Sequence, residues 1–166
     1  MTQEEYKSLK ELLLKDLCAR LPYGVIGQCE IDASYDTSFE TKPQTHKFDA
    51  KVYGLLEEGT LLVTPLIEDQ DVQEFANEEV ADGVDILDFK PYLFPLSSMT
   101  FLQKREYNRL QDDGPAYHYI YGEIVNDIEL YDNWKSIDYL NANHFDYRGL
   151  IEKGLAIDAT ELNIYI

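Results

Sequence analysis

Two segments between Val25 and Leu55 place apolar residues at every second position, and no other feature constrains the fold as much. Val25, Gly27, Cys29, Ile31 and Ala33 alternate with Ile26, Gln28, Glu30 and Asp32. Phe48, Ala50 and Val52 alternate with Lys47, Asp49 and Lys51, and after Glu57-Glu58-Gly59 the run Thr60 to Ile67 returns. A period of two buries one face of a strand. The pattern therefore predicts a half-buried strand, a polar Pro-containing loop over 34–45, and a hairpin turning at Gly59. Pro65, lacking an N–H for a ladder, belongs at the edge or end of its strand.

Around this sheet the apolar period changes to helical. Thr2-Gln-Glu-Glu5 has the form of a capping box, and Tyr6, Leu9, Leu13 and Leu17 repeat at helical spacing, widened by Leu12 and Leu14, until Pro22 and Gly24 stop the element near Arg20. Thr100 and Gln103 form a second capping-box pattern ahead of a helix to about Gln111, which Asp112-Asp-Gly-Pro115 ends. A third helix is predicted over Asp127–Asn141, with Leu130, Trp134 and Ile137 as its buried stripe and Trp134 as a core anchor. Asp146 is placed to cap a last short helix, Tyr147–Lys153, before Gly154. Lys90-Pro-Tyr-Leu-Phe-Pro95 cannot be helical, because each Pro holds the residue before it extended, so it reads as an apolar extended crossing. Val84–Phe89, Tyr117–Gly122 and 155–166 read as further extended pieces, and Val72–Glu79 as a short helix. The expected architecture is a single α+β domain over residues 1–166, with a small, mainly antiparallel sheet packed against about three to four helices and an acidic excursion at about 68–83.

Charge narrows what such a domain can meet. The 32 Asp and Glu against 14 Lys and Arg give a net charge of −18. No Lys or Arg occurs from Val52 to Phe89, where 11 carboxylates fall, nor from Leu110 to Trp134, where six fall. Such stretches repel phosphate and anionic lipid, which argues against direct nucleic-acid or membrane binding. No apolar run approaches the ~18 residues of a membrane span, and Met1 to Lys10 lacks the basic and apolar regions of a signal peptide, so a cytoplasmic location is expected. Cys18 and Cys29 match no metal or redox spacing and read as small buried residues.

Three strings resemble a small uncharacterised family found in Bacteroides-type gut bacteria, their phages and mobile elements: Lys15-Asp-Leu-Cys-Ala-Arg-Leu-Pro-Tyr-Gly24, Lys90-Pro-Tyr-Leu-Phe-Pro-Leu-Ser-Ser-Met-Thr100, and Asn141-Ala-Asn-His-Phe-Asp-Tyr-Arg-Gly-Leu-Ile-Glu-Lys-Gly-Leu-Ala-Ile-Asp158. No activity is carried over with that resemblance.

Chemistry-bearing residues are few. His144, Asp146 and Arg148 alternate, so a His beside a carboxylate could act as a general base while Arg holds an anion. The competing structural reading has Asp146 capping a helix, His144 closing the helix before it, and Arg148 pairing with surplus carboxylates. Asp69-x-Asp71-x-Gln73 begins like a calcium loop, but Glu74 stands where Gly is needed and Val80 where a bidentate Glu is needed. Gly-rich phosphate loops, His-Glu-x-x-His and Gly-x-Ser-x-Gly do not occur, and no cofactor or metal is expected. The expected function is that of a non-enzymatic, acidic, protein-binding accessory protein of a phage or mobile element. It would use Glu68, Asp69, Asp71, Glu74, Glu78 and Glu79 against a basic protein partner and mask a nucleic-acid-binding surface. The alternative is a small hydrolase or transferase using His144, Asp146 and Arg148.

Overall fold

The computed structural model of the chain describes residues 2–34, 43–56, 59–68, 76, 80–111 and 134–165. Its first element, α1 (Gln3–Arg20), starts on the capping box: the Glu5 N–H donates to the Thr2 hydroxyl at 3.2 Å and the Thr2 N–H to the Glu5 carboxylate at 2.7 Å. The chain then makes a 3-10 turn through Pro22, and Gly24 at φ +76° leads into the sheet.

The strands are β1 (Ile26–Ser34), β2 (Pro43–Leu55), β3 (Thr60–Pro65), β4 (Val84–Asp85), β5 (Phe89–Pro95), β6 (Phe145–Asp146) and β7 (Ile157–Asp158). Their order is β4-β3-β2-β1-β5-β6, with β7 also on β5. The pairs from β4 to β5 are antiparallel, while β6 and β7 run parallel to β5, so the sheet is mixed. Two helices complete the described fold, α2 (Phe101–Gln111) and α3 (Trp134–Ala142). The α+β class follows directly. Pairing of β1 with β2 reaches Ser34↔Pro43, inside the stretch expected to be loop, because ladder bonds use the main chain and need no apolar side chain.

Alternation decides which sheet face meets α1. Val25, Cys29, Ala50, Val52, Leu61 and Val63 are buried with Leu13 and Leu17 of α1 and with Phe89 and Leu93 of β5. Each fully buried Leu is worth about 1.5–3 kcal/mol of removed apolar surface. Phe94 turns the other way and joins a second cluster built on Met99, Tyr107, Leu140 and Phe145. Strand β5 therefore carries side chains into both cores.

Pro91 lies inside the sheet, opposite Gly27, where a missing N–H would ordinarily break a ladder. The Val52 N–H donates to Val25 O at 2.9 Å, so the odd-numbered residues of β1 turn their polar groups toward β2. Gly27 asks nothing of Pro91, and the proline is tolerated. The pair is close, however: a Cβ on Gly27 would stand 2.4 Å from Lys90 O, 2.5 Å from the Phe89 ring and 2.8 Å from Pro91 Cα.

Several expectations are corrected. Trp134 is 72% exposed rather than a core anchor. The buried face of α3 is Ser136, Leu140 and Asn141 with Ile137 beside them, and Trp134, in the first turn, points about 90° from its centre. Cys18 is exposed, although Cys29 is buried. Tyr147–Lys153 forms turns instead of a helix, broken by Gly149 at φ +67° and Gly154 at φ +70°. Val84–Phe89 divides into β4, a 3-10 turn and the start of β5. The expected strand Tyr117–Gly122, the helical residue Leu130 and most of Val72–Glu79 lie outside the described residues.

Replacing Gly27 by Ala should cost up to about 3 kcal/mol in urea unfolding, the upper range for overpacking, because two of the three clashing atoms are backbone. A change below about 0.5 kcal/mol would show that β1 and β5 separate freely at this pair.

Candidate functional site

The residues singled out near His144 do meet, around a buried ion cluster that begins in α1. Leu13, Asp16, Leu17 and Arg20 share one helical face, and all four are fully buried. The Arg20 guanidinium donates to both Asp16 oxygens, at 2.7 and 3.1 Å. It also donates to Phe145 O at 2.8 Å and to Leu140 O at 3.5 Å, which fixes the end of α3 and the start of β6 against α1. Arg148 completes the cluster by donating to Asp16 at 2.8 Å and to Lys15 O at 3.4 Å. The Tyr147 ring lies beside both guanidiniums, 4.7 Å from Arg148 and 5.5 Å from Arg20, and its hydroxyl donates to Asn141 at 3.0 Å.

Asp146 serves the main chain. One carboxylate oxygen accepts the Leu150 N–H at 2.9 Å and the other the Ile151 N–H at 2.8 Å, so it caps the turn that replaces the expected helix. His144 has a left-handed backbone, φ +56°, at the position just past α3 where Gly or Asn is usual. Its N–H donates to Asn141 O at 3.1 Å and its carbonyl accepts from Phe94 N–H at 2.9 Å. The ring stacks on Tyr165 at 3.7 Å with planes 8° apart, and its buried Nδ1 has no hydrogen-bond partner among the described residues. Burial, aided by the Arg20 charge and opposed by Asp16, holds the imidazole down to about 4, so it is neutral at pH 7.

The three candidate catalytic residues thus occupy one corner with their polar groups directed elsewhere: Asp146 to backbone N–H groups, Arg148 to Asp16, and the His144 ring to Tyr165. A groove of about 380 Å³ opens nearby between Phe94, Gln103, Asn143, Phe145 and Tyr165, and none of the three lines it. Its polar groups are engaged as well: the Ser98 hydroxyl donates to Pro95 O, Gln103 caps α2 at Thr100, and the Asn143 amide donates to Tyr139 O. Among the described residues no group of three or more His, Cys, Asp or Glu is arranged to hold a metal ion, and no helix is long and apolar enough to cross a membrane. Of the expected partner-binding residues, Glu68 is described and exposed, whereas Asp69, Asp71, Glu74, Glu78 and Glu79 lie outside the described residues.

Sequence reading missed Asp16, Arg20, Asn141, Tyr147 and Tyr165. A signal existed for the first two: ionisable residues at spacing i, i+4 interrupt the same stripe as Leu13 and Leu17, and a charge on a buried face needs a partner. Nothing local marks Tyr165. No family model, curated protein or solved structure matches this chain.

The His144 environment predicts a pH dependence. The ring titrates near 6.5 when unfolded and near 4 when folded, so between those values the unfolded chain binds the extra proton. Stability from this group is complete above pH ~6.5 and falls as pH drops toward 4, by up to about 3 kcal/mol. His144→Asn, which suits the left-handed backbone, should remove that part of the slope between pH 4.5 and 7 in urea unfolding. Identical slopes for parent and variant would show that the ring is not held neutral by the fold.

Proposed function

We propose that the chain is a non-enzymatic binding protein, an accessory protein of the phage or mobile-element kind that its sequence strings resemble. On this reading it presents an acidic surface to a basic protein and masks that protein's nucleic-acid-binding face. The observation that carries the reading is where the cations go. Arg20 is wholly buried on Asp16, Arg148 and Lys10 are part-buried on Asp16 and Asp85, and Lys47 and Arg109 pair with Glu30 and Glu106 at the surface. Glu68 and Asp82, near the two ends of the acidic excursion, are exposed. The excursion is also anchored: Ala76 and Val80 are buried, and the Val80 N–H donates to Ala76 O at 3.2 Å. The described residues Ala76 and Val80 are in this way held at the core, and the sequence around them is rich in carboxylates, which favours electrostatic steering of a cationic partner.

The alternative, a small hydrolase or transferase using His144, Asp146 and Arg148, has less support. General acid–base work needs groups within reach of a substrate atom, and the carboxylate and guanidinium here are taken up by partners within the fold.

The test is capture by the tagged chain from phage-infected Bacteroides lysate, followed by replacement of Glu68, Asp69, Asp71, Glu74, Glu78 and Glu79 by Gln or Asn. The captured basic protein should bind the parent with an association rate that falls steeply between low and physiological salt. It should bind the neutralised variant much more weakly, while that variant keeps its fold and gains slightly in stability. Equal binding with equal salt dependence would reduce the stretch to a solubilising surface.

A further inference from the structure

The odd residues of β1 face β2, so the N–H and C=O of Ile26 face β5, where Tyr92 stands opposite. The β1–β5 ladder nevertheless begins only at Gly27↔Pro91. At the gap sits the hydroxyl of Tyr165. It accepts the Ile26 N–H at 3.2 Å and lies 3.1 Å from both Ile26 O and Tyr92 O, which share its hydrogen. A phenol thus replaces the ladder bonds that the two strands omit. The ring is read as well, by the flat face of His144 at 3.7 Å and by Phe94 at 6.1 Å, tilted 59°. The site therefore specifies both a planar ring and a para hydroxyl, and a hydroxyl-lacking ring would strand three backbone groups.

The tie is narrow. The Ala159 N–H donates to Leu93 O at 2.9 Å; beyond it, the described bonds of main-chain N–H groups up to Tyr165 stay within the local turn, Thr160 N–H to the Asp158 carboxylate and Leu162 N–H to Ala159 O. Thr160 to Asn163 are exposed. Tyr165 also borders the groove of about 380 Å³, which offers room beside the ring.

We infer that the recess under Tyr165 is a recognition site for a tyrosine side chain presented by another polypeptide, with Tyr165 as the intramolecular occupant that the incoming tyrosine displaces. The occupant is a segment of a different, basic protein rather than a second copy, because two chains of net charge −18 repel one another. The groove takes the residues flanking the incoming ring. This site does not depend on the acidic excursion, so either proposal can fail alone.

Two measurements on the full chain test it. The variant Tyr165→Ala should remain folded with a lowered melting temperature. Millimolar N-acetyl-tyrosinamide should raise that temperature and restore the ring-current shift of the His144 ring protons, and N-acetyl-phenylalaninamide should bind about tenfold more weakly. In the parent, the Ile26 amide should exchange with solvent at least about tenfold faster than the Val52 amide, because it opens with residues 160–165 and not with the sheet. Equal affinity for the two amides, absence of binding, or a variant that cannot fold would overturn the inference. So would equal exchange at Ile26 and Val52, which would make Tyr165 a fixed core residue.

Discussion

The fully buried pair Asp16–Arg20 is the interaction on which the rest of the structure depends. A lone buried charge costs several kcal/mol, so each member requires the other, and the remaining guanidinium hydrogens require acceptors. Those acceptors are Leu140 O at the end of α3 and Phe145 O in β6, which belong to the second hydrophobic cluster, while Leu13 and Leu17 on the same helical face belong to the first. The pair therefore sets how the two cores meet. Apolar residues of equal volume could supply similar stability, but they would not fix the helix end and strand start with directional bonds.

That role explains what became of the chemistry-bearing residues. The turn after α3 must deliver Phe145 O to Arg20 and Arg148 to Asp16 within a few residues, which uses a left-handed residue at 144 and a carboxylate cap at 146. His144 is kept neutral by burial and by the neighbouring Arg20. The grouping that reads as a general base in sequence is thus spent on geometry. What the surface keeps is charge, and the functional reading rests there and on the phenol recess at the β1–β5 gap.

Much of this was legible beforehand where a residue's environment is local. The Thr2–Glu5 and Thr100–Gln103 caps depend on neighbours three residues away, and both are present. The alternation from Val25 and from Phe48 placed the buried face of the hairpin correctly. Trp134 failed because a helical stripe defines an arc without saying where its centre lies, and small residues such as Ser136 occupy that centre. Sequence marks Pro91 only as extended, since its tolerance inside a sheet depends on which way Gly27 turns its polar groups. Tyr165 could not be read at all: its partners, Ile26, Tyr92 and His144, lie 139, 73 and 21 positions away.

The most direct test is urea unfolding of Asp16→Asn, which keeps the volume at that position and removes the negative charge between two guanidiniums. The account predicts a loss of about 3–5 kcal/mol, with both cores melting together at a lower midpoint. A variant within about 0.5 kcal/mol of the parent would contradict it, and would mean that apolar packing alone holds α1 against α3 and β6.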